Sequence, residues 1–133
     1  MAGEKSISAL LQGMSPHLNQ GEYVFCSVTD FSGLAPEQII GSFREQEGLT
    51  LIVERSRADA LGLKYDFVAA WITLTIHSAL DAVGLTAAFS AALGNAGISC
   101  NVIAAYYHDH VFVGVDDAQK AMSVLEGLSR DVG

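Results

Sequence analysis

The sequence predicts an α+β fold, a two-layer sandwich of antiparallel sheets with helices on one face, built as two tandem halves. Three observations carry this. Residues 71–128 read in the order strand, glycine-containing loop, helix, two strands, helix, with the apolar period switching between two and 3.6. Leu85, Ala88, Phe89, Ala92, Leu93 and Ala96 form the stripe of a helix lying on a sheet, and the alanines let it sit close. A weak internal repeat links the halves. Residues 23–28 parallel 71–76, Gly33-Leu34 parallels Gly84-Leu85, and each half continues with a helix stopped by glycine, Gly48 or Gly97, then a strand.

Taken in order, residues 1–11 read as a short helix, 14–18 as a turn or short strand, and 19–21 as a turn. Residues 22–29, rich in β-branched and aromatic side chains, predict a strand. A loop at 30–34 leads to Pro36, which suits the first turn of a helix running to about Gln46, with Gly48 as its stop. Residues 49–54 predict a strand and 58–63 a helical turn. The extended segment 65–76 joins the halves, which divide as 1–64 and 65–133. After the Leu85 helix, residues 98–103 predict a strand and His108-Asp109-His110 a turn. Val111, Val113 and Val115 then share one face of a strand. Asp116 suits the N-cap of a last helix, and Asp117 favours its positive end.

Composition narrows the partners. Half of the 133 residues are hydrophobic and 17% are charged, so the chain can build a core and is expected to hide further apolar surface in a homo-oligomer. The net charge of −8, a pI near 4.7 and seven thinly spread Lys and Arg argue against nucleic acid and against an anionic membrane surface. Residues 82–107 carry no charge and are long enough to span a bilayer, but Gly94, Asn95, Gly97, Ser99 and Asn101 break the run, so no span is expected. Cys26 and Cys100 lie far apart in strand-like runs. They predict buried reduced thiols in a cytoplasmic protein, and no signal peptide is visible.

The order within 71–128 resembles the ACT domain. Gly84 stands in the first strand–helix loop, Gly97 ends the helix, Asn101 opens the second strand and the helix after Asp116 closes the unit. The stretches 44–50 and 84–88 are similar to small bacterial proteins that carry two ACT domains in tandem, the aspartokinase-like pair, with no catalytic domain attached. The resemblance implies a ferredoxin-like βαββαβ sandwich in each half. It also implies a non-catalytic regulatory module that binds an amino acid or similar small metabolite between the halves, without a cofactor. The alternative is a structural pair that mediates dimerisation or docks to a protein partner and takes no ligand. Each ACT domain ends on a fourth strand, for which little chain remains before Gly133, so strands are expected to be shared, with 65–76 serving both halves.

The resemblance places the ligand at loop 78–86, which contains Ser78. Backbone N–H groups of Val83, Gly84 and Leu85 at a helix start suit a carboxylate, and glycine lets it approach. Asp81 is the partner for an ammonium group. Asn101 approaches from the neighbouring strand, and Phe31 in the equivalent first-half loop closes the pocket. The competing explanations are structural: Gly84 shaping a tight turn, and Asn101 closing the turn after Gly97. His108 and His110, at i and i+2, could share a face toward a metal, but no third ligand can be assigned and none is expected. No enzyme is expected. Cys26 and Cys100 lack an activating cue, Ser78 and Ser90 lack a nucleophile elbow, and no phosphate-binding glycine loop is present.

Overall fold

The computed structural model describes residues 11–31, 33–75 and 84–131. The helix expected over 1–11 therefore lies almost wholly outside the described residues. The fold is α+β, with antiparallel strands and three helices among the described residues. The chain divides into two compact units, one formed by residues 20–69 and the other by residues up to Asn19 together with those from Ala70 onward.

In the unit of residues 20–69, β2 (Tyr23–Val28) pairs antiparallel with β4 (Leu49–Glu54), and β3 (Ile39–Arg44) pairs with the other side of β4. The first two residues of β5 (Val68–Thr75) pair with β2, Tyr23 opposite Ala69 and Val24 opposite Val68. Helix α1 (Arg55–Leu61) ends where Gly62 turns left-handed, φ 68°, and donates its N–H to the carbonyls of Ala58 and Asp59. Val24, Cys26, Leu51, Val53 and Ala58 are buried together, with Leu34, Ile39 and Tyr65 among the side chains packed on them. The helix expected from Pro36 to about Gln46 is not formed. Pro36–Gln38 make one 3-10 turn, and the chain then enters β3 with a bulge between Ile39 and Gly41. Pairing with the apolar β4 overrides the helix-start signal of the proline, because Ile39 and Ile40 fit a pleated surface better than a helical one.

In the other unit, β1 (Ser15–Leu18) pairs antiparallel with the C-terminal half of β5, from Ser15 opposite Thr75 to Leu18 opposite Ile72. Strand β7 (Asp109–Gly114) lies beside β5, and β6 (Cys100–Ala104) pairs antiparallel with β7. Period-two alternation sorts β5: Ala70, Ile72 and Leu74 face the core, and Trp71 and Thr73 face the other way. Helix α2 (Leu85–Asn95) buries Leu85, Phe89 and Leu93, as the stripe requires, and helix α3 (Ala118–Asp131) adds Ala121 and Leu125. Val111 and Val113 meet them from β7. The last helix starts differently from expectation. Val115–Asp117 form a 3-10 turn behind Gly114, so Asp116 sits inside the first turn instead of capping it. Its carboxylate still lies at the positive end of the helix dipole.

Candidate ligand site

The loop singled out by sequence ends at the start of α2. Gly84 occupies the N-cap with φ 89° and ψ −9°, a left-handed conformation that a branched residue resists. Its carbonyl accepts the Ala88 N–H at 2.9 Å, so α2 begins directly after it. Glycine has no side chain to cap the helix, and the first N–H groups of a helix have no partners within it. Leu85 anchors this start, only 3% exposed against Phe89 and Leu93. Ser78, Asp81 and Val83 lie outside the described residues.

Asn101 is exposed on β6, directly opposite Phe112 on β7. Cys100 and Val102 pack against the core beneath α2, so Asn101 projects to the face away from the helices. The strand starts just beyond the C-terminal end of α2, and eleven helical residues span about 16 Å. Within one chain, therefore, Asn101 and Gly84 are not brought together.

Phe31 lies in the other unit, 47% exposed, at the wall of an open cavity of about 490 Å³. Leu34, Pro36, Ile39, Gly41 and Ser42 complete that wall, making it mainly apolar. The 3-10 turn and the bulge of β3 create this hollow, by holding Pro36 and Ile39 beside the loop that follows β2.

The turn expected at 108–110 lies earlier, where the Ala105 N–H donates to the His108 carbonyl at 3.0 Å; pairing with β6 draws Asp109 and His110 into β7, and their arrangement differs from the one the spacing suggested. The Trp71 Nε1–H donates to His110 Nδ1 at 3.0 Å, and Thr73 Oγ1 lies 3.3 Å from the same nitrogen. Asn19 Nδ2 donates to Thr73 Oγ1 at 2.9 Å and to the Trp71 carbonyl at 3.1 Å. Burial lowers the His110 pKa below the ordinary histidine value, helped by His108 and opposed by Asp109. Burial raises the Asp109 carboxyl, against the pull of both histidines. Among the described residues no group of three or more His, Cys, Asp or Glu converges as a metal site. Sequence inspection misses this network, because residues 19, 71, 73 and 110 meet only through strand register. The lone tryptophan and a histidine in β-rich segments were its only traces.

Comparison with known proteins follows the same lines. A family model described as ACT domain matches residues 2–70, and a second, also described as ACT domain, matches residues 67–127. A Vibrio cholerae protein, described as of unknown function and a possible transport protein, has a solved structure similar to this one. It shares 48% identity with a TM-score of 0.82, over 94% of this chain and 97% of that one. An Agrobacterium tumefaciens protein matches at 18% identity and TM-score 0.64, over 87% and 89% of the two chains. The ligand-free regulatory subunit of aspartate kinase from Thermus thermophilus matches at 10% identity and TM-score 0.56, over 96% and 99%. At such identities these last two show the fold alone. No curated protein matches the chain. No helix among the described residues is long and apolar enough to cross a membrane. The two family matches, together covering residues 2–127, show that the chain belongs to the ACT-domain family and carries two ACT domains in tandem.

Proposed function

We propose that this chain is a non-catalytic regulatory module of the cytoplasm that binds an amino acid or a similar small metabolite. ACT domains are commonly regulatory, ligand-binding modules, and the observation that carries the proposal is that both halves match them. The domains are 1–64 and 65–133, the first lending β1 to the strand β5 of the second. In the proposed site the N–H groups of Val83, Gly84 and Leu85 hold the ligand carboxylate, and Asp81 takes its ammonium group, with Ser78 in the same loop. The left-handed Gly84 supports this by keeping the approach to the backbone free of a side chain. Taken by itself, the apolar hollow beside Phe31 in the unit of residues 20–69 suits a small apolar group. Asn101, a helix length away on the other sheet face, joins such a site only from a second copy of the chain in a homo-oligomer. The test is thermal unfolding in the presence of each standard amino acid. A ligand at a hundred times its dissociation constant adds ~2.7 kcal/mol, a readily visible shift.

One observation favours the alternative, a dimerisation or protein-docking module without a ligand. Phe43 is 72% exposed on β3, the outermost strand of its unit among the described residues, and such an edge invites association. Sedimentation showing a dimer that Phe43→Glu dissociates, in a protein stabilised by no amino acid, would favour this alternative.

A further inference from the structure

Independently of any ligand, we propose that His110 is a proton-sensitive latch: the neutral ring fastens the Asn19 end of β1 to β5, and protonation opens the fastening. An indole N–H can only donate, so the Trp71 bond at 3.0 Å requires an unprotonated Nδ1 and places the ring proton on Nε2. Thr73 Oγ1 already accepts from Asn19 Nδ2, which leaves its own proton free to point at the same Nδ1, 3.3 Å away. Two donors from β5 therefore converge on one acceptor on β7. Asn19 is tied to this pair three times: by its backbone N–H to the Trp71 carbonyl at 2.9 Å, by Nδ2 to the same carbonyl, and by Nδ2 to Thr73. The ladder between β1 and β5 ends one residue earlier, at Leu18 opposite Ile72, so Asn19 holds the strand's end through its backbone N–H and its side chain together.

A proton on Nδ1 converts the shared acceptor into a third donor. The Trp71 bond is lost, and the Thr73 contact survives only reversed, with Nδ1–H donating to a hydroxyl oxygen that already accepts from Asn19, so the Asn19–Thr73 bond loosens. The groups around the ring fix the direction of the effect. Asp109 and His108 flank His110 on its own hairpin, His17 on β1 stands opposite Thr73, and Ile103 on β6 faces His110 without a charge. Burial and His108 oppose the cation, and Asp109 favours it only in part. A folded-state pKa below the unfolded one means that the unfolded chain binds more protons in this window. The contribution of the latch is complete above the ordinary histidine pKa and is lost as pH falls through the lowered value.

Trp71 is the only tryptophan, so its fluorescence reads this histidine directly. The full chain is titrated from about pH 8 to about pH 5, where histidine is the ordinary titrating side chain. Expected are a one-proton quenching curve with its midpoint below about 6.5, the same midpoint in the His110 ring NMR signals, and a rise in Asn19 amide exchange beyond its intrinsic pH dependence. His110→Gln retains an acceptor for Trp71 but should abolish the curve. Thr73→Val removes the hydroxyl that joins Asn19 to Nδ1, so it should keep the quenching curve but uncouple Asn19 amide exchange from it. It keeps the histidine, so it gives an answer even where His110→Gln folds poorly. A curve that persists in His110→Gln, a wild-type midpoint at or above the ordinary value, or Asn19 exchange that follows intrinsic chemistry alone would each overturn the latch.

Discussion

Truncating Phe89 is the sharpest probe of how the second half is held together. Its ring is fully buried on α2, between Leu85 and Leu93 in sequence, in a cluster that includes Ile72, Leu74, Val111, Val113 and Leu125. Burying such a side chain contributes ~1.5–3 kcal/mol by transfer from water. In Phe89→Ala the sheet and helices cannot close fully over the vacated volume, so a cavity penalty adds to the lost transfer. The total should be roughly 3–5 kcal/mol. At about 4 °C per kcal/mol for a chain of this size, the midpoint of thermal unfolding should fall by roughly 12–20 °C. Asn95 provides the control, since it is exposed near the other end of the same helix. Asn95→Ala removes polar surface from water and should move the midpoint by a small fraction of that amount. Circular dichroism melts of the three proteins decide the matter. Equal midpoints for the two variants would mean that the face of α2 turned to the sheet has been misassigned.

Gly48 has an ordinary φ, but a Cβ there would stand 2.8 Å from Ser27 Oγ and 3.4 Å from the Val28 carbonyl. The exposed Ser27 hydroxyl can turn aside, so Gly48→Ala should cost less than about 1 kcal/mol, the steric loss being partly offset by the entropy gained in the unfolded chain. In a Ser27→Gly background the same change should become neutral or stabilising by denaturant titration, and equal costs in both backgrounds would refute the clash. Cys26 is 3% exposed and burial pushes its thiol pKa up, whereas Cys100 is only half-buried on the outer strand β6. A thiol reagent at neutral pH should label Cys100 first and reach Cys26 only on unfolding, as peptide mass mapping would show. Rapid native labelling of Cys26 would contradict its place in the core.

What could be read from the residues depended on how local each signal was. The α2 stripe was legible because Leu85, Phe89 and Leu93 recur with the helical period and point at one sheet. β7 was legible because Val111 and Val113 alternate with the strand period. Pro36 and Gly48 looked like the start and stop of a helix, yet the intervening Ile39, Ile40 and Phe43 form a strand whose partner, β4, follows it in the chain. A local signal lost there to a pairing that only the hairpin creates. Strand sharing was foreseen for residues 65–76, and β5 does pair with β2 at Val68 and Ala69 and with β1 from Ile72 to Thr75. The contribution of β1 was not legible, because four residues with a proline carry almost no periodicity. Of the candidate site, a glycine just ahead of α2 was legible from its place before a helical stripe, whereas its left-handed φ emerged only in the structure. The hollow beside Phe31 did not, because it is made by the 3-10 turn and bulge that replaced the expected helix. Opposite sheet faces for Asn101 and the core beneath α2 follow from register, which sequence alone leaves open.

The central claim is that an amino acid or similar metabolite is held by backbone groups where Gly84 opens α2. Calorimetric titration of wild type and Gly84→Val, with whichever amino acid raises the melting temperature most, tests it directly. Gly84 is exposed and left-handed, so valine there adds a branched side chain at the point of approach and strains the turn by ~1–3 kcal/mol, leaving the buried core of α2 in place. The predicted result is saturable binding to wild type and none to a folded Gly84→Val, whose circular dichroism matches wild type. Undiminished binding by Gly84→Val, or no amino acid that binds the wild type at all, would contradict the claim.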